Sequence, residues 1–342
     1  MMHSADDSIA NIVEAFAAQR IVVLGDVMLD EYVYGNATRI SPEAPVPVID
    51  LQKRIFLAGG AANTASNIAA LGGTPVLIGL VGRDAAGGTL TSILDAANIR
   101  IDRLVRSDER PTTTKARFVA SGQQILRIDH ESREPISQEL EVRLVAALEE
   151  EIRRSTALVV SDYAKGVVSK RVIRSAIAIA RQANIPTVVD PKRRSFQNYS
   201  GATVLTPNAH ELELASGRPI TSDDALDLAC QDLLPSLDGA AIVVTRGALG
   251  MTLCAPGEPP LHIPAIAKAV FDVVGAGDTV ASVLALGLGA NVPLALCANL
   301  ANLAAGIVVG KRGTATVSPP ELTAAMQRPT IEPSLGSSRQ PS

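Results

Sequence analysis

Apolar and polar positions alternate in blocks along this chain, and the blocks predict strands and helices in turn. Short apolar runs bounded by glycine or polar residues are typical of strands buried on both faces. These runs are Ile21–Val27, Val76–Val81, Ala157–Ser161, Pro186–Asp190, Thr203–Leu205 and Ala241–Thr245, with a hairpin at Met251–Cys254. Helical patterns end at Leu71 and near Asn98, and others cover Gln138–Arg154, Ser169–Asn184, Ala209–Ser216, Asp223–Leu234, Thr279–Leu288 and Leu294–Val309. Repeated strand–helix units predict an α/β fold with a doubly wound, mostly parallel sheet.

Two segments depart from this rhythm and predict a second, small sheet. The segment Tyr32–Gln52 consists of short alternating pieces interrupted by prolines, which favours edge strands. The segments Thr112–Ala120 and Gln123–Asp129 alternate on either side of Ser121-Gly122, which is a hairpin signal. We expect these strands to form a lid of about four strands (residues 32–52 and 112–129) on one domain that spans residues 8–328. The Pro- and Ser-rich residues 329–342 are expected to be a disordered tail.

Composition narrows the class of protein. With 342 residues and 47% hydrophobic residues, the chain can bury a large core. The net charge of −4 and the lack of a basic run argue against nucleic acid as the main partner. Three isolated cysteines in apolar surroundings are typical of a reducing compartment. With no signal-peptide pattern and no long apolar stretch, the sequence predicts a cytoplasmic protein without a membrane partner.

A glycine-rich turn precedes the apolar run Val280–Leu288. Gly275, Ala276 and Gly277 leave the backbone N–H groups unshielded, and a helix that begins there adds the positive end of its dipole. Such a turn is suited to binding phosphate or a developing oxyanion. The carboxylate of Asp278 has two interpretations at this stage: it could be a helix cap, or it could take part in chemistry.

Polar residues follow several of the predicted strands, and all of these strand ends should meet at one edge of the sheet. They are Asp26, Asp30, Asp162, Lys165, Asp190, Lys192, Asn208, Glu211, Thr245 and Arg246. A second glycine-rich turn, Ala58–Asn63, also opens a helix. Together they suit phosphoryl transfer, which needs a phosphate cradle, cations and a carboxylate that accepts a hydroxyl proton.

Two of these segments carry a resemblance to a known family. Ala58-Gly-Gly-Ala-Ala-Asn63 and Asp272-Val-Val-Gly-Ala-Gly-Asp278 resemble the two signatures of the ribokinase-like (phosphofructokinase-B) carbohydrate kinases. The resemblance covers about Ile21 to Pro320 and implies a ribokinase-like fold. Four segments are similar to the heptose-7-phosphate kinases within it: Gly25–Asp30, Arg39–Val48, Asp162–Gly166 and Thr206–Glu211. In many bacteria such a kinase is the first half of a bifunctional heptose kinase/adenylyltransferase. The few residues after position 320 predict the stand-alone form.

The resemblance implies roles residue by residue. Asp278 matches the general base, and the amides of Gly275, Ala276 and Gly277 match the anion hole. Asn208 and Glu211 match a pair that organises Mg²⁺ through water, and Asp272 matches a site for a monovalent cation such as K⁺. Residues that match nucleotide-binding positions are Thr245, Gly247, Gly250, Ala301, Asn302 and Ala305. Residues that match sugar-binding positions are Asp26, Asp30, Gly59, Gly60, Asn63 and Asp162.

Two positions depart from relatives. Val273 replaces a common Thr, which weakens the case for cation dependence. Ala61 replaces the Lys of ribokinase itself, which argues against free ribose as the substrate.

Basic residues are candidates for binding a phosphate group on the sugar. They are Lys165, Arg117 and Arg127, while Lys192 follows a strand on the expected nucleotide side and is assigned to ATP. For the lid residues Lys115, Arg117 and Arg127, a plain solvated face is the alternative. Glu211 could equally be a capping residue. His130 and His210 lack the spacing of a metal site, and Arg39–Glu43 could be plain turn chemistry.

The expected function is that of an ATP- and Mg²⁺-dependent kinase of a phosphosugar. The resemblance implies D-glycero-β-D-manno-heptose 7-phosphate as the substrate, phosphorylated at O1 for ADP-heptose and lipopolysaccharide core synthesis. The alternatives are a kinase of another phosphosugar, such as a hexose phosphate, and a non-catalytic sugar-responsive regulator. One face of the lid would be apolar and exposed on a monomer, so we expect a homodimer in which two lids cover each other.

Overall fold

The computed structural model describes residues 11–266, 271–311, 313 and 315–327. The strands in this part of the chain are β1 (Arg20–Gly25), β2 (Val27–Ile40), β3 (Pro47–Gly60), β4 (Thr74–Gly82), β5 (Leu104–Ser107), β6 (Thr113–Ala120), β7 (Gln123–His130), β8 (Ala157–Ser161), β9 (Thr187–Asp190), β10 (Val204–Leu205), β11 (Ala241–Thr245), β12 (Met251–Cys254) and β13 (Leu261–Ile263). The main helices are α1 (Ala61–Ala70), α2 (Ala85–Ala96), α3 (Gln138–Ile152), α4 (Lys170–Gln182), α5 (Ala209–Ser216), α6 (Asp223–Leu233), α7 (Ala276–Gly289), α8 (Leu294–Val308) and α9 (Pro319–Met326).

Nine strands form the main sheet in the order β13-β12-β11-β10-β9-β8-β1-β4-β5. The strands from β5 to β11 pair in parallel, whereas β12 and β13 pair antiparallel at one edge. The predicted α/β fold with a mostly parallel sheet is confirmed. Its parallel strands all end at one edge, which is where the polar residues of the sequence motifs come together.

Each face of the main sheet has its own hydrophobic core. On β1, Ile21 and Val23 belong to a core that includes residues of α1, α7 and α8. Their neighbours Val22 and Leu24 belong to the opposite core, with residues of α3, α4 and α6. All four side chains are fully buried. Because β1 is apolar on both faces, helices cover it on each side, and it pairs with β4 and β8 inside the sheet. Asp26 therefore directly follows an internal strand.

The small sheet is the predicted lid, with strand order β3-β2-β6-β7. It is mixed, since β2 pairs parallel with β6 while the two outer pairs are antiparallel. The predicted pieces at 32–52 are in fact the outer parts of two 14-residue strands, β2 and β3, which reach back to the core. Register shifts at Tyr34/Gly35 and Ala37/Arg39 interrupt their pairing and break the alternation that a continuous strand would show.

Of the strands and helices named above, three short ones were not predicted: β5, β13 and α9. The edge strand β5 has four residues and alternates over too short a length to give a period. Helix α9 begins with two prolines and is capped by the reciprocal pair of Ser318 and Glu321. The predicted tail, residues 329–342, lies outside the described residues. In the described part of the chain, every helix is too short or too polar to cross a bilayer.

Candidate active site

The glycine-rich turn lies at the start of α7, and the helix begins at Ala276, three residues earlier than expected. Gly275 is the residue before the helix and has φ of 84°, a conformation that favours glycine. Asp278 is therefore the third residue of the helix, and its side chain does not cap α7. Its carboxylate accepts hydrogen bonds from α1 and from Tyr163 instead, so the capping interpretation was wrong.

Asp278 lies in a nearly closed polar environment and is 4% exposed. Its Oδ2 accepts a hydrogen bond from Asn63 Nδ2 at 2.7 Å. Its Oδ1 accepts from Thr64 Oγ1 at 2.9 Å and from the Tyr163 hydroxyl at 3.0 Å. Burial raises the pKa of Asp278, while the three hydrogen bonds and the charge of Lys192 oppose this rise. A buried carboxylate with a raised pKa is suited to accept a proton.

Polar contacts hold the two glycine-turn helices, α1 and α7, against each other. The Thr279 hydroxyl donates to Asn67 Oδ1 at 2.8 Å, and Asn67 Nδ2 donates to the backbone oxygen of Asn63 at 2.9 Å. The Ser282 hydroxyl donates to the backbone oxygen of Thr64 at 3.0 Å. Because Asn63 and Thr64 are the α1 donors to Asp278, this network fixes the carboxylate in place.

The three amides expected to form the anion hole are not equivalent. The amide of Ala276 already donates to the Val273 oxygen at 3.3 Å, which closes the turn. The amides of Gly275 and Gly277 donate to no atom of the described residues. A Cβ at Gly277 would have no atom within 4 Å, so its surroundings are open. Gly275 and Gly277 thus remain candidates for an anion, and Ala276 serves the turn.

Asp30 lies on the site-facing side of the lid and is held by Arg117. Arg117 Nη1 donates to Asp30 Oδ1 at 2.7 Å, and its guanidinium carbon lies 5.1 Å from the centre of the Tyr32 ring. Gly59 lies directly beside the Asp30 carboxylate. Gly60 has φ of 58° and forms the turn into α1. The glycine signature therefore makes room for Asp30 and positions Asn63.

The carboxylate of Asp26 is hydrogen-bonded to backbone amides and does not face open space. It accepts hydrogen bonds from the amides of Tyr163, Lys165 and Val167 at 2.9, 3.1 and 3.3 Å. Burial, with a smaller contribution from the charge of Asp162, raises its pKa to about 6. The loop that carries Tyr163 and Lys165 is therefore folded around Asp26, and this gives Asp26 a positioning role beside its expected place at the sugar.

The expectation that Asp162 contacts the sugar is corrected by its burial. The side chain is fully buried. Its Oδ1 accepts from the amide of Ala164 at 2.8 Å, and its Oδ2 accepts from Arg193 Nε at 2.6 Å and from the Tyr199 hydroxyl at 2.8 Å. A carboxylate with its oxygens enclosed in this way supports the loop from below and does not reach a ligand.

The basic residues that are candidates for binding the phosphate group of the sugar lie where the lid meets the main domain. Lys165 Nζ lies 2.6 Å from Glu131 Oε2, and Lys115 Nζ lies 3.9 Å from the same oxygen and 3.5 Å from Asp129. Burial would raise the pKa of Glu131, but Lys165 and other cations lower it overall. Arg127 stands opposite Arg117 in the lid, is half exposed and pairs with Asp129 at 2.8 Å. Lys165, Arg117 and Lys115 are therefore enclosed, and Arg127 is the exposed member of the set.

Lys192 joins two carboxylates on the expected nucleotide side. Its Nζ lies 3.2 Å from Asp190 and 2.8 Å from Glu211. Burial raises the pKa of Asp190 to about 7 against the opposing charge of Lys192. The other oxygen of Glu211 accepts from the amide of Asn208 at 2.8 Å, and Asn208 Oδ1 accepts from the Glu211 amide. The capping alternative for Glu211 is therefore present, together with its ion pair to Lys192.

The remaining residues that are expected to bind the nucleotide differ in their exposure to solvent. Thr245 and Gly247 lie at the open strand end, and Gly250 has φ of 86° with the Ile263 carbonyl so close that no side chain fits. Ala301 is fully buried in the core, which corrects its expected contact with adenine. Asn302 Nδ2 donates to the Pro264 oxygen at 2.8 Å, so it tethers the segment after β13. Ala305 on the same helix is partly exposed.

Four residues of this site were missed from sequence. Thr64 and Tyr163 contact Asp278, while Arg193 and Tyr199 hold Asp162. Thr64 and Tyr163 are sequence neighbours of Asn63 and Asp162, and polar residues inside those motifs were the available signal.

Asp272, the residue expected at a monovalent cation, accepts a hydrogen bond at Oδ1 from the Val274 amide at 3.0 Å. Within the described ranges, no three His, Cys, Asp or Glu side chains are grouped as a metal site.

Comparison of the fold with solved structures gives close matches at low sequence identity. Phosphofructokinase-2 from Escherichia coli in complex with potassium matches with a TM-score of 0.75 at 22% identity, covering 91% of this chain and 99% of that one. Ribokinase from Arabidopsis thaliana, complexed with ribose and ATP, matches with a TM-score of 0.73 at 20% identity, with the same coverage. These likenesses establish the ribokinase-like fold.

Curated relatives are closer in sequence. Bifunctional protein HldE of Caulobacter vibrioides is 48% identical over 329 residues, 96% of this chain and 68% of that protein. The protein of the same name from Geobacter metallireducens is 44% identical, over 92% of this chain and 65% of its own length. The chain thus spans about two thirds of these relatives. Residues 18–321 match the family described as pfkB family carbohydrate kinase. On this match over most of its length, together with the fold and the two glycine turns that surround Asp278, the chain belongs to the pfkB family of carbohydrate kinases.

Proposed function

We propose that this carbohydrate kinase phosphorylates D-glycero-β-D-manno-heptose 7-phosphate at O1, with ATP as the phosphoryl donor. The observation that carries the proposal is a set of three cations where the lid meets the main domain. Arg117 is paired with Asp30, and Lys165 and Lys115 both lie near Glu131. The motifs that resemble heptose-7-phosphate kinases and the similarity to proteins named HldE support the choice of sugar. The product, the 1,7-bisphosphate, would serve ADP-heptose synthesis for lipopolysaccharide core.

At the acceptor end, Asp278 takes the proton of the attacking hydroxyl. The oxygen then forms a bond to the γ-phosphorus, the bond between that phosphorus and the bridging oxygen breaks, and ADP leaves with the electron pair. Gly275 and Gly277 would donate their amides to the transferring phosphoryl group, at the positive end of α7. Asp30, Asn63 and the Gly59–Gly60 turn would contact the sugar hydroxyls.

The phosphate group of the sugar would compete with protein carboxylates for the basic side chains that bind it. Lys165 is paired with Glu131, and Arg117 with Asp30, so both cations are held in place before the ligand arrives. Preformed pairs reduce the side-chain entropy that binding must overcome. Charge-assisted contacts to phosphate contribute about 1.5–3 kcal/mol each, so two of them favour a phosphosugar by roughly a hundredfold or more. Arg127 is the outermost candidate, because it is half exposed.

On the nucleotide side, the ATP phosphates would lie against Lys192, with Thr245, Gly247 and Gly250 forming the loop over them. Asp190 and Glu211, the two carboxylates around Lys192, fit a Mg²⁺ ion that keeps part of its water shell. When bound, Mg²⁺ would neutralise charge on the phosphates, and Glu211 would contact it through water with Asn208 as its partner. Asp272 is the proposed residue for a monovalent cation such as K⁺.

A panel of sugars in a coupled assay of ADP release tests the proposal. We expect high kcat/KM on heptose 7-phosphate and roughly a hundredfold less on dephosphorylated heptose. The variant Lys165→Ala should lose most of this discrimination, whereas Lys170→Ala, on the exposed start of α4, should keep it. Equal efficiency on both sugars would overturn the phosphosugar assignment and leave the kinase assignment standing.

Two alternatives are separated by the same panel. A preference for a hexose phosphate over heptose 7-phosphate would make the chain a kinase of another phosphosugar. An absence of ADP release with every sugar, together with measurable sugar binding, would favour a non-catalytic regulator. The enclosed Asp278 and the open amide of Gly277 disfavour that last alternative. A cytoplasmic location and a homodimer belong to the proposal as well.

A further inference from the structure

The two oxygens of the Asp278 carboxylate have different numbers of donors. Oδ1 accepts two hydrogen bonds, from Thr64 Oγ1 at 2.9 Å and from the Tyr163 hydroxyl at 3.0 Å. Oδ2 accepts one, from Asn63 Nδ2 at 2.7 Å. Each carboxylate oxygen offers about two acceptor positions. Oδ1 is therefore filled by the protein, and Oδ2 retains one position.

Tyr163 is held in place from three directions. Its amide donates to Asp26 Oδ2 at 2.9 Å, its hydroxyl donates to Asp278, and Lys192 Nζ lies 5.5 Å from the centre of its ring. Burial and the nearby charge of Asp278 raise the pKa of the Tyr163 hydroxyl well above its ordinary value. The hydroxyl thus keeps its proton at neutral pH and acts as a donor to Asp278.

We propose that Tyr163 is a positioning residue for the general base: with Thr64 it occupies Oδ1, so that Oδ2 is the atom that takes the proton from the acceptor hydroxyl. The inference rests on the proposed role of Asp278 in phosphoryl transfer. In the reaction, the acceptor O–H bond breaks, its proton bonds to Oδ2, and the oxygen uses the freed electron pair to bond the γ-phosphorus. ADP departs with the electrons of the broken phosphorus–oxygen bond, and Asp278 later returns the proton to water.

The charged and titratable groups around Asp278 come from four elements and set its protonation. Lys192 follows β9 and favours the ionised carboxylate, while Asp190 at the end of β9 is close enough for mutual repulsion. The charge of Asp30 on β2 contributes to the raised pKa of the Tyr163 hydroxyl. The donors Asn63 and Thr64 on α1, with Tyr163, also favour the ionised form. Loss of the Tyr163 hydroxyl therefore shifts the balance toward protonated Asp278.

The variant Tyr163→Phe, with the phosphosugar that gives the highest turnover, tests this inference. We expect the acid limb of the profile of kcat/KM against pH to move up by about one pH unit. Turnover on the high-pH plateau should fall by roughly tenfold or less, and the KM for ATP should stay unchanged. Thr64→Val should move the acid limb in the same direction and provides a second test if Tyr163→Phe does not fold. Tyr34→Phe, in the outer part of β2, is the matched control and should leave the profile in place.

The outcomes separate this inference from the proposed function. An unmoved acid limb in Tyr163→Phe and Thr64→Val, with turnover lowered equally at every pH, would overturn the positioning role and make both residues structural. If Asp278→Asn kept near-parental turnover, the general base itself would be wrong, and the inference would fall with it. If Asp278→Asn is nearly inactive and both hydroxyl variants shift the acid limb, the inference stands.

Discussion

Gly59 lies so close to Asp30 that a Cβ at position 59 would be 2.5 Å from the Asp30 carboxylate oxygen Oδ2. The two residues are diagonal neighbours on β2 and β3, since Gly59 pairs with Met28 and Asp30 follows Met28 by two positions. The other oxygen of Asp30 accepts a hydrogen bond from Arg117. The glycine signature in this stretch thus serves a side chain as well as a turn. The absence of a side chain at position 59 leaves room for the Asp30 carboxylate and its partner Arg117 in the proposed sugar site.

Gly59→Ala should therefore displace Asp30 and weaken sugar binding. We expect the KM for the sugar to rise by roughly tenfold or more, as for the loss of a charged hydrogen bond, with a smaller change in the KM for ATP. Steady-state kinetics with each substrate varied in turn measures this. Gly88→Ala is the control: it lies in α2 with no atom within 4 Å of its Cβ position and should stabilise the fold slightly. An unchanged sugar KM in Gly59→Ala would remove Asp30 from the sugar site.

Asp278→Asn tests the general base. Because the amide cannot accept the hydroxyl proton, turnover should fall by roughly 10²–10⁴ while ATP affinity changes little. Single-turnover kinetics gives the first quantity and calorimetric titration with ATP gives the second. Asp108→Asn, on an exposed surface, should behave like the parent enzyme. Turnover within a few-fold of the parent would reduce Asp278 to a structural residue between α1 and α7.

The outer face of the lid predicts the assembly state. Phe56, Leu126 and Ile128 are 38%, 52% and 50% exposed, and their register places them on the face opposite Asp30. We expect a homodimer that covers this face, and we expect the double variant Leu126→Glu, Ile128→Glu to be monomeric by light scattering. Leu228→Glu changes an equally exposed leucine on α6 and should remain dimeric. A monomeric and fully active parent at micromolar concentration would refute the dimer.

Asp26 predicts a pH dependence of stability. Its pKa is about 6 in the folded protein against an ordinary value of 3.8, chiefly because it is buried. The folded protein therefore binds this proton more tightly than the unfolded chain does. The resulting stabilisation is greatest below the ordinary pKa and is lost as the pH rises through about 6. As the pH rises from about 4.5 to about 7, the free energy of unfolding falls by about 2 kcal/mol from this cause. Asp26→Asn should lack this component in urea titrations, whereas the exposed Asp50→Asn should retain it. Equal slopes in parent and Asp26→Asn would contradict the prediction.

The sequence predicted what depends on local pattern and missed what depends on tertiary contact. Buried strands such as Ala157–Ser161 and Ala241–Thr245 matched the observed strands, because a doubly buried strand must be apolar throughout. The glycine turns were recognised because they need particular backbone conformations. The start of α7 was missed because Gly275, not Asp278, precedes the helix.

Side-chain partnerships were the other source of error. Asp26 and Asp162 both follow buried strands, and nothing in the chain order shows that one is held by backbone amides and the other by Arg193 and Tyr199. Arg193 and Tyr199 lie 31 and 37 positions away from Asp162, so no local pattern joins them to it. Tyr163 adjoins a recognised motif residue, but its bond to Asp278 spans 115 positions.

Successive side chains of β2 point to opposite faces of the lid, one facing the proposed sugar site and the other facing outward. Asp30 and Tyr32 lie on the face of the proposed sugar site, where both contact Arg117. Glu31 and Val33 lie on the outer face, in register with Phe56 and Phe118. Substrate preference can therefore change at one set of alternate positions while the other set, on the face expected to contact a second copy, stays the same. We expect paralogues with new sugars to retain old subunit partners, and an insertion of one residue in this strand to disturb both at once.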